Sequence, residues 1–374
     1  MLIKKEFEDI LKLKFPDNEF KALLKNTDEP YFNNKGYNWR QWQIKSEGRL
    51  TNAVIHLYKK NQKIEIDYDD HNLIKTSTEQ LKKDGYLIVP NFISNEEIDK
   101  IKNDALKFDF YNSLDKSKTQ HPNKFKSTED LGPRYASNLD NRDIDISSPL
   151  GKILTNKFFG EIAKNYLGVK PYFCSGVYMF STKIKKSLSI NETKTLAQHY
   201  HFDFSHFKFL KFFIYLTDVD INSGPHVFVR NSHGENCIFP KNANDFFSYT
   251  VHPNGTLDGR INSDFIEKNY APEDIITMCY PKGTLIIEDT SGMHKGSKIL
   301  SGSREMLSAL YTCSNYGQYN PKTQLTIDTN GKDIDFLRPV SKVWKQRQIE
   351  NFKKHNKVSQ YLKLKRKLSN IFLN

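Results

Sequence analysis

The chain has 374 residues but only four cysteines, Cys174, Cys237, Cys279 and Cys313. They lie far apart and form no C-x-x-C pair, which argues against a disulfide framework and for a reducing compartment. Long apolar runs are also missing. No stretch approaches the roughly 18 apolar residues of a membrane-spanning helix. The opening MLIKKEFEDILKLKF carries charge throughout, without the apolar centre of a secretory leader. A cytoplasmic protein is expected. Acidic residues are scarce at one end only: residues 341–374 hold ten Lys/Arg against Glu350, so +9 of the net +12 lies there and the remaining body carries +3. A nearly neutral body with no nucleic-acid motif offers no footprint for specific nucleic-acid binding. Apolar residues make up 37% of the chain, but 26 Phe and 19 Tyr add the area a core needs. The length suits one large domain or two small ones.

Three regions are expected: an accessory region over 1–75, a central domain over 76–320 and an extension over 321–374. In the first, Leu2, Phe7, Ile10, Leu11 and Leu13 suggest an amphipathic helix. Ser77-Thr78-Glu79-Gln80 reads as a helix start, and Asp84-Gly85 as its end. Tyr86 to Val89 reads as a short strand stopped by Pro90-Asn91, and Ser94 as the cap of the next helix. Residues 111–150 read as a long polar loop that covers the mouth of the domain, with Arg134, Tyr135 and Arg142 as candidate substrate contacts. A helix is expected over 151–168 and a strand over 171–184, while 234–271 reads as an insertion.

The centre of the chain is HYHFDFSHFKFLKFFIYLTDVDINSGPHVFVRNSH, residues 199–233. On a strand, residues two apart share a face. His201 and Asp203 can therefore aim an imidazole and a carboxylate at one point, two thirds of a two-His-one-carboxylate Fe(II) site. A bare H-x-D pair is weak by itself. Further on comes GTLIIEDTSGMHKGSKILSGSREMLSALYTC. Gly283 to Asp289 reads as a buried strand, with His294 in the loop beyond and Arg304 opening another strand. A third ligand and a cation fit there if the strands lie side by side in a small barrel, whose interior can hold one ligand. His199 shares the face of His201 but has no carboxylate two residues on. His226 is a candidate substrate contact, and His206 and His233 are near in sequence only.

These stretches resemble the phytanoyl-CoA dioxygenase-like (PhyH) family of Fe(II)/2-oxoglutarate oxygenases. The likeness is carried by DGYLIVPNFIS with EEID, by His201/Asp203, by NSGPH-V with the following SH, and by His294 with Arg304, all in the family's order over about 76–315. The resemblance implies a mainly β fold with flanking helices around a double-stranded β-helix, a jelly roll. It implies His201, Asp203 and His294 as iron ligands and Arg304 as the anchor of the 2-oxoglutarate cosubstrate. It further implies hydroxylation of a small-molecule, acyl or glycan metabolite with release of succinate and CO2. With Asp203 present no ligand position is vacant for halide, which favours hydroxylation over halogenation. The alternatives are a non-catalytic jelly-roll binding protein, or a protein led to nucleic acid or membrane by its basic tail.

The tail places Val358, Tyr361, Leu364, Leu368 and Ile371 three or four apart, on one helical face among lysines. Such a helix suits either an anionic membrane surface or docking on the barrel. Docking is the expectation. Deleting 341–374 should then lower the melting temperature, and the intact protein should not co-sediment with anionic liposomes at low salt. Liposome binding lost on deletion, with unchanged melting, would assign the tail to the membrane.

Overall fold

The computed structural model of the protein describes residues 65–120, 134–139, 144–183, 187–203, 208–234, 260–261 and 263–312. The expected N-terminal helix, Arg142, most of the 234–271 insertion and the basic tail lie outside these residues.

The first helix, α1 (His71–Asp84), begins ahead of the expected Ser77. Asp70 supplies the cap, its side chain accepting from Leu73 N at 2.8 Å. Thr76 and Thr78 sit inside the helix because their hydroxyls bond back to Asn72 O and Ile74 O. The helix therefore runs across the expected boundary at 75/76, and Ile66 and Tyr68 pack on the main core. It stops at Gly85, whose φ of +85° is the left-handed conformation and whose N–H bonds Leu81 O. A Cβ there would lie 2.5 Å from His233 Nδ1, so the turn needs glycine twice over.

Strand β1 (Tyr86–Val89) and helix α2 (Asn95–Ala105) follow as expected, α2 opening on a capping box between Ser94 and Glu97. The polar stretch beyond departs from expectation. It contains β2 (Phe110–Asn112), β3 (Asp115–Gln120) and β4 (Arg134–Leu139), all paired into a sheet. Ladder bonds are made by backbone, so polar side chains at a sheet margin do not prevent pairing. A cover over the mouth is thus not formed by 134–139. The helix expected over 151–168 is two, α3 (Pro149–Leu154) and α4 (Lys157–Leu167), because Asn156 caps a new start by accepting from Phe158 N.

The remaining elements are β5 (Tyr172–Thr182), α5 (Ile190–Thr195), β6 (Phe209–Tyr215), β7 (His226–Val229), α6 (Ser263–Asn269), β8 (Ile275–Met278), β9 (Leu285–Glu288), β10 (His294–Gly296) and β11 (Ser303–Thr312). They build two antiparallel sheets, ordered β1-β9-β6-β11-β5-β4-β2-β3 and β10-β7-β8. His294 opens a strand and does not lie in a loop.

Alternation along the strands separates three apolar layers. Leu210, Phe212, Ile214, Leu285, Ile287 and Leu307 face outward from the large sheet against the helices. Phe213, Tyr215, Ile286 and Met306 face inward and meet Phe228 and Met278 of the small sheet. The outer side of the small sheet carries Val227 and Val229 against Phe265 and Ile266 of α6. Two facing sheets with flanking helices are the expected jelly roll. Among the described residues no helix is long and apolar enough to cross a membrane.

Phe212 lies between helix and sheet, stacked on Phe159 at 4.5 Å and edge-on to Tyr311 at 5.2 Å. Phe212→Ala should cost about 3–5 kcal/mol of stability. Urea unfolding read by circular dichroism checks this, and a loss below ~1 kcal/mol would mean the site collapses to fill the cavity.

Candidate metal centre

One pair of backbone hydrogen bonds brings the two distant halves of the motif together. His201 N donates to His294 O at 2.9 Å, and His294 N donates to His201 O at 2.8 Å. Two residues on, Asp203 N donates to Thr290 O at 2.7 Å. The side chains of His201, Asp203 and His294 consequently converge, with one ligand atom from each all within 4.8 Å of one another. His201 meets His294 as a bridge residue and is not part of a longer strand.

Each imidazole is oriented by its own neighbourhood. His201 Nδ1 lies 2.9 Å from His199 O, and His294 Nδ1 lies 2.9 Å from Gly292 O. A carbonyl can only accept, so each Nδ1 carries the proton and each Nε2 keeps its lone pair for the centre. Asp203 is held from the other side by Lys211 Nζ, 2.5 Å from Oδ2. His294 Nε2 lies 3.8 Å from the same oxygen.

Arg304 stands at the start of β11 and is buried. It faces inward and donates to Gly224 O. Its guanidinium passes beside Gly296, two residues along β10 from His294. Two strand residues span about 7 Å. That matches the reach of a five-carbon diacid between a metal at the triad and the guanidinium.

A phytanoyl-CoA dioxygenase (PhyH) family model matches residues 81–306, more than half of the chain and inclusive of the whole triad. The chain belongs to this family. A search of curated proteins found no match. Among solved structures, the chain is similar to the non-heme alpha ketoglutarate dependent epimerase SnoN from nogalamycin biosynthesis, at 15% identity and a TM-score of 0.44, covering 65% of this chain and 84% of that one. It is similar to EctD from S. alaskensis with 2-oxoglutarate and 5-hydroxyectoine, at 14% identity and a TM-score of 0.41, covering 66% and 78%. It is also similar to HygX from Streptomyces hygroscopicus with nickel, 2-oxoglutarate and hygromycin B, at 12% identity and a TM-score of 0.38, covering 64% and 88%. Likenesses this distant carry no information about the substrate of this PhyH member.

The other residues singled out from sequence separate in space. His226 faces the interior, its ring 5.6 Å from that of His294, and its Nε2 lies 2.9 Å from Glu288 Oε2. Arg134 donates to Ser113 Oγ and to Thr195 O and Leu196 O. His199 turns to Thr193 Oγ1, and His233 Nε2 to Lys82 O under the Gly85 turn. Two interior charges escaped sequence reasoning, Lys211 and Glu288. Each had a faint signal: a charged residue interrupting an apolar strand run, at the inward parity of FLKFFIY or LIIE.

Burial shapes the electrostatics. It depresses the His201 imidazole well below its ordinary range, aided by His294 and Arg260. It lowers His294 as well, against the pull of Asp203. For Asp203 burial acts upward, but Lys211 and the two imidazoles outweigh it and hold the carboxyl far below the usual range. At neutral pH the set is two neutral imidazoles and one carboxylate, which is the protonation state that metal binding requires. Among the described residues Glu288 Oε1 and Thr290 Oγ1 are buried without a hydrogen-bond partner, so polar atoms stay available beside the triad.

The linkage has a definite sign. A histidine with a depressed folded pKa contributes full stability above its unfolded value and loses it as pH falls toward the folded value. EDTA-treated protein should therefore melt progressively lower below about pH 6.5. His201→Gln/His294→Gln should show a shallower loss over that window. Equal slopes in a differential scanning fluorimetry pH series would contradict the assignment of neutral, buried imidazoles.

Proposed function

We propose that this protein is an Fe(II)- and 2-oxoglutarate-dependent dioxygenase that hydroxylates a small-molecule, acyl or glycan metabolite. The observation that carries this reading is the convergence of His201, Asp203 and His294, with the Arg304 guanidinium beside Gly296, two residues along β10 from His294. Membership of the PhyH family supports it. Fit to a metal is supported by the donor chemistry: two imidazoles with Nδ1 already committed and one ionised carboxylate.

In this reading His201, Asp203 and His294 hold Fe(II), and Arg304 grips the far carboxylate of 2-oxoglutarate with a fork that lysine cannot reproduce. When bound, the iron and its cosubstrate supply the oxidising power, with succinate and CO2 as co-products. The chain's own residues do the rest. Lys211 keeps Asp203 ionised and fixed in orientation. His199 O and Gly292 O keep the imidazole tautomers in place. Phe213, Met306 and Phe228 keep the inner wall apolar, which strengthens every charge interaction made there. His226, locked to Glu288, is a wall residue of the substrate space. Arg134 stands in the same cross-strand row as Arg304, with Ser181 of β5 between them. Arg142 lies outside the described residues and stays a candidate contact from sequence.

His201→Ala or Asp203→Ala should abolish 2-oxoglutarate turnover to succinate while leaving the circular dichroism spectrum unchanged. Arg304→Ala should weaken 2-oxoglutarate binding by about 1.5–3 kcal/mol, roughly ten- to a hundredfold, with far less effect on metal binding. Both are read by calorimetric titration. Undiminished turnover in the triad variants would remove the catalytic reading and leave a binding barrel.

A further inference from the structure

The interior of the barrel carries a second positively charged corner that the metal and cosubstrate do not account for. Arg304, Ser181 and Arg134 stand directly opposite one another across β11, β5 and β4. They form one inward-facing row, with the arginine backbones about 10 Å apart by strand spacing. Arg260 joins them from the opposite side, as a bridge partner of His201. Arg134 and Arg260 converge on the end of α5. Arg134 donates to Thr195 O at 3.0 Å and Leu196 O at 3.3 Å, and Arg260 donates to Lys194 O at 2.5 Å. These three carbonyls are consecutive, so the two guanidiniums are neighbours, immediately before the segment that carries His201.

The charge at this corner is not balanced by the groups that Arg134 touches. Among the described residues its partners are a serine hydroxyl and two peptide carbonyls, and none is a carboxylate. A helix end supplies at most about half a negative charge, and α5 is six residues long. The full charge of the Arg134 guanidinium needs more. Burial presses the Arg134 guanidinium down to about 10, and Arg304 and Arg260 press in the same direction against the pull of Tyr111. A pin for α5 needs hydrogen-bond donors but no net charge, and neutral side chains could provide it. Arginines gathered beside a metal centre are better accounted for by an anion that arrives with the substrate.

We propose that Arg134 and Arg260 form an oxyanion subsite beside the metal centre, and that the substrate presents a carboxylate or phosphate to it. This rests on the reading of the triad as an Fe(II)/2-oxoglutarate site and adds the substrate's charge class. The subsite is distinct from the Arg304 pocket, which holds the cosubstrate. Arg134 contributes the remaining N–H groups of its fork, and Arg260 a second cation on the His201 side.

The test uses the full-length protein loaded with Zn(II) and N-oxalylglycine, which fills the Arg304 pocket without reacting. Inorganic phosphate is titrated calorimetrically in one arm and acetate in the other, to separate the two oxyanion classes. One saturable site per chain is expected in at least one arm. Arg134→Met should weaken it roughly tenfold or more, and Arg134→Lys by less, since it keeps charge and loses the fork. No saturation in wild-type protein that does bind Zn(II) and N-oxalylglycine overturns the subsite while leaving the proposed function standing. An isotherm unchanged in Arg134→Met overturns it as well. Loss of N-oxalylglycine binding in Arg134→Met would assign that arginine to the cosubstrate and overturn it too. Wild-type protein that binds neither Zn(II) nor N-oxalylglycine sinks the proposed function instead. Circular dichroism reports whether Arg134→Met folds; if it does not, the wild-type and Arg134→Lys isotherms decide.

Discussion

The reciprocal hydrogen bonds between the backbones of His201 and His294 are what the rest of the site depends on. They join two segments far apart in the chain and bring both imidazoles onto one axis, with ring centroids 4.3 Å apart. Each ring is then locked by a carbonyl within two residues of its own backbone. A site held by sheet hydrogen bonds is placed more closely than one held by loops, which is what metal coordination needs. Strand β10 transmits that placement. It pairs with β7, and β7 with β8, so the metal end is anchored to the whole small sheet.

Charge is distributed along the interior with a clear polarity. Near the triad lie Asp203 with Lys211 and Glu288 with His226, each carboxylate matched to a nitrogen base. Toward β4 and the start of β11 lie Arg134 and Arg304, bonded among the described residues to neutral acceptors. Between the two ends the walls are Phe213, Phe228, Met278 and Met306. A buried cation without a carboxylate costs stability. Arg304 is buried and Arg134 half-buried, and under the proposed function both face ligands of negative charge.

Much of this could be read from residues alone where local chemistry decides. Ser94 with Glu97, the Asp84-Gly85 stop and the strand at Tyr86–Val89 all rest on interactions within a few positions. The four site residues were legible because H-x-D imposes a shared face, and because His294 and Arg304 follow in the order of the family. Where the reading failed, a contact across the fold had overridden composition. Residues 115–120 and 134–139 looked like open loop, yet they are strands, because β5 offers an edge to β4, which pairs with β2, and β2 with β3. The helix start at Ser77 was set instead by Asp70, and the helix over 151–168 broke at Asn156, where one side chain offered a better cap than continuity did.

The sequence by itself determined the class of fold and singled out His201, Asp203, His294 and Arg304 as candidates, because period, turn chemistry and residue order are properties of a linear chain. Tertiary structure alone decided that Lys211 would meet Asp203, that Glu288 would hold His226, and that Arg134 and Arg260 would converge on the end of α5. These pairs come from different strands and helices, and nothing in their spacing couples them. They meet because sheet register aligns side chains across neighbouring strands, and register is set by the packing of the whole barrel.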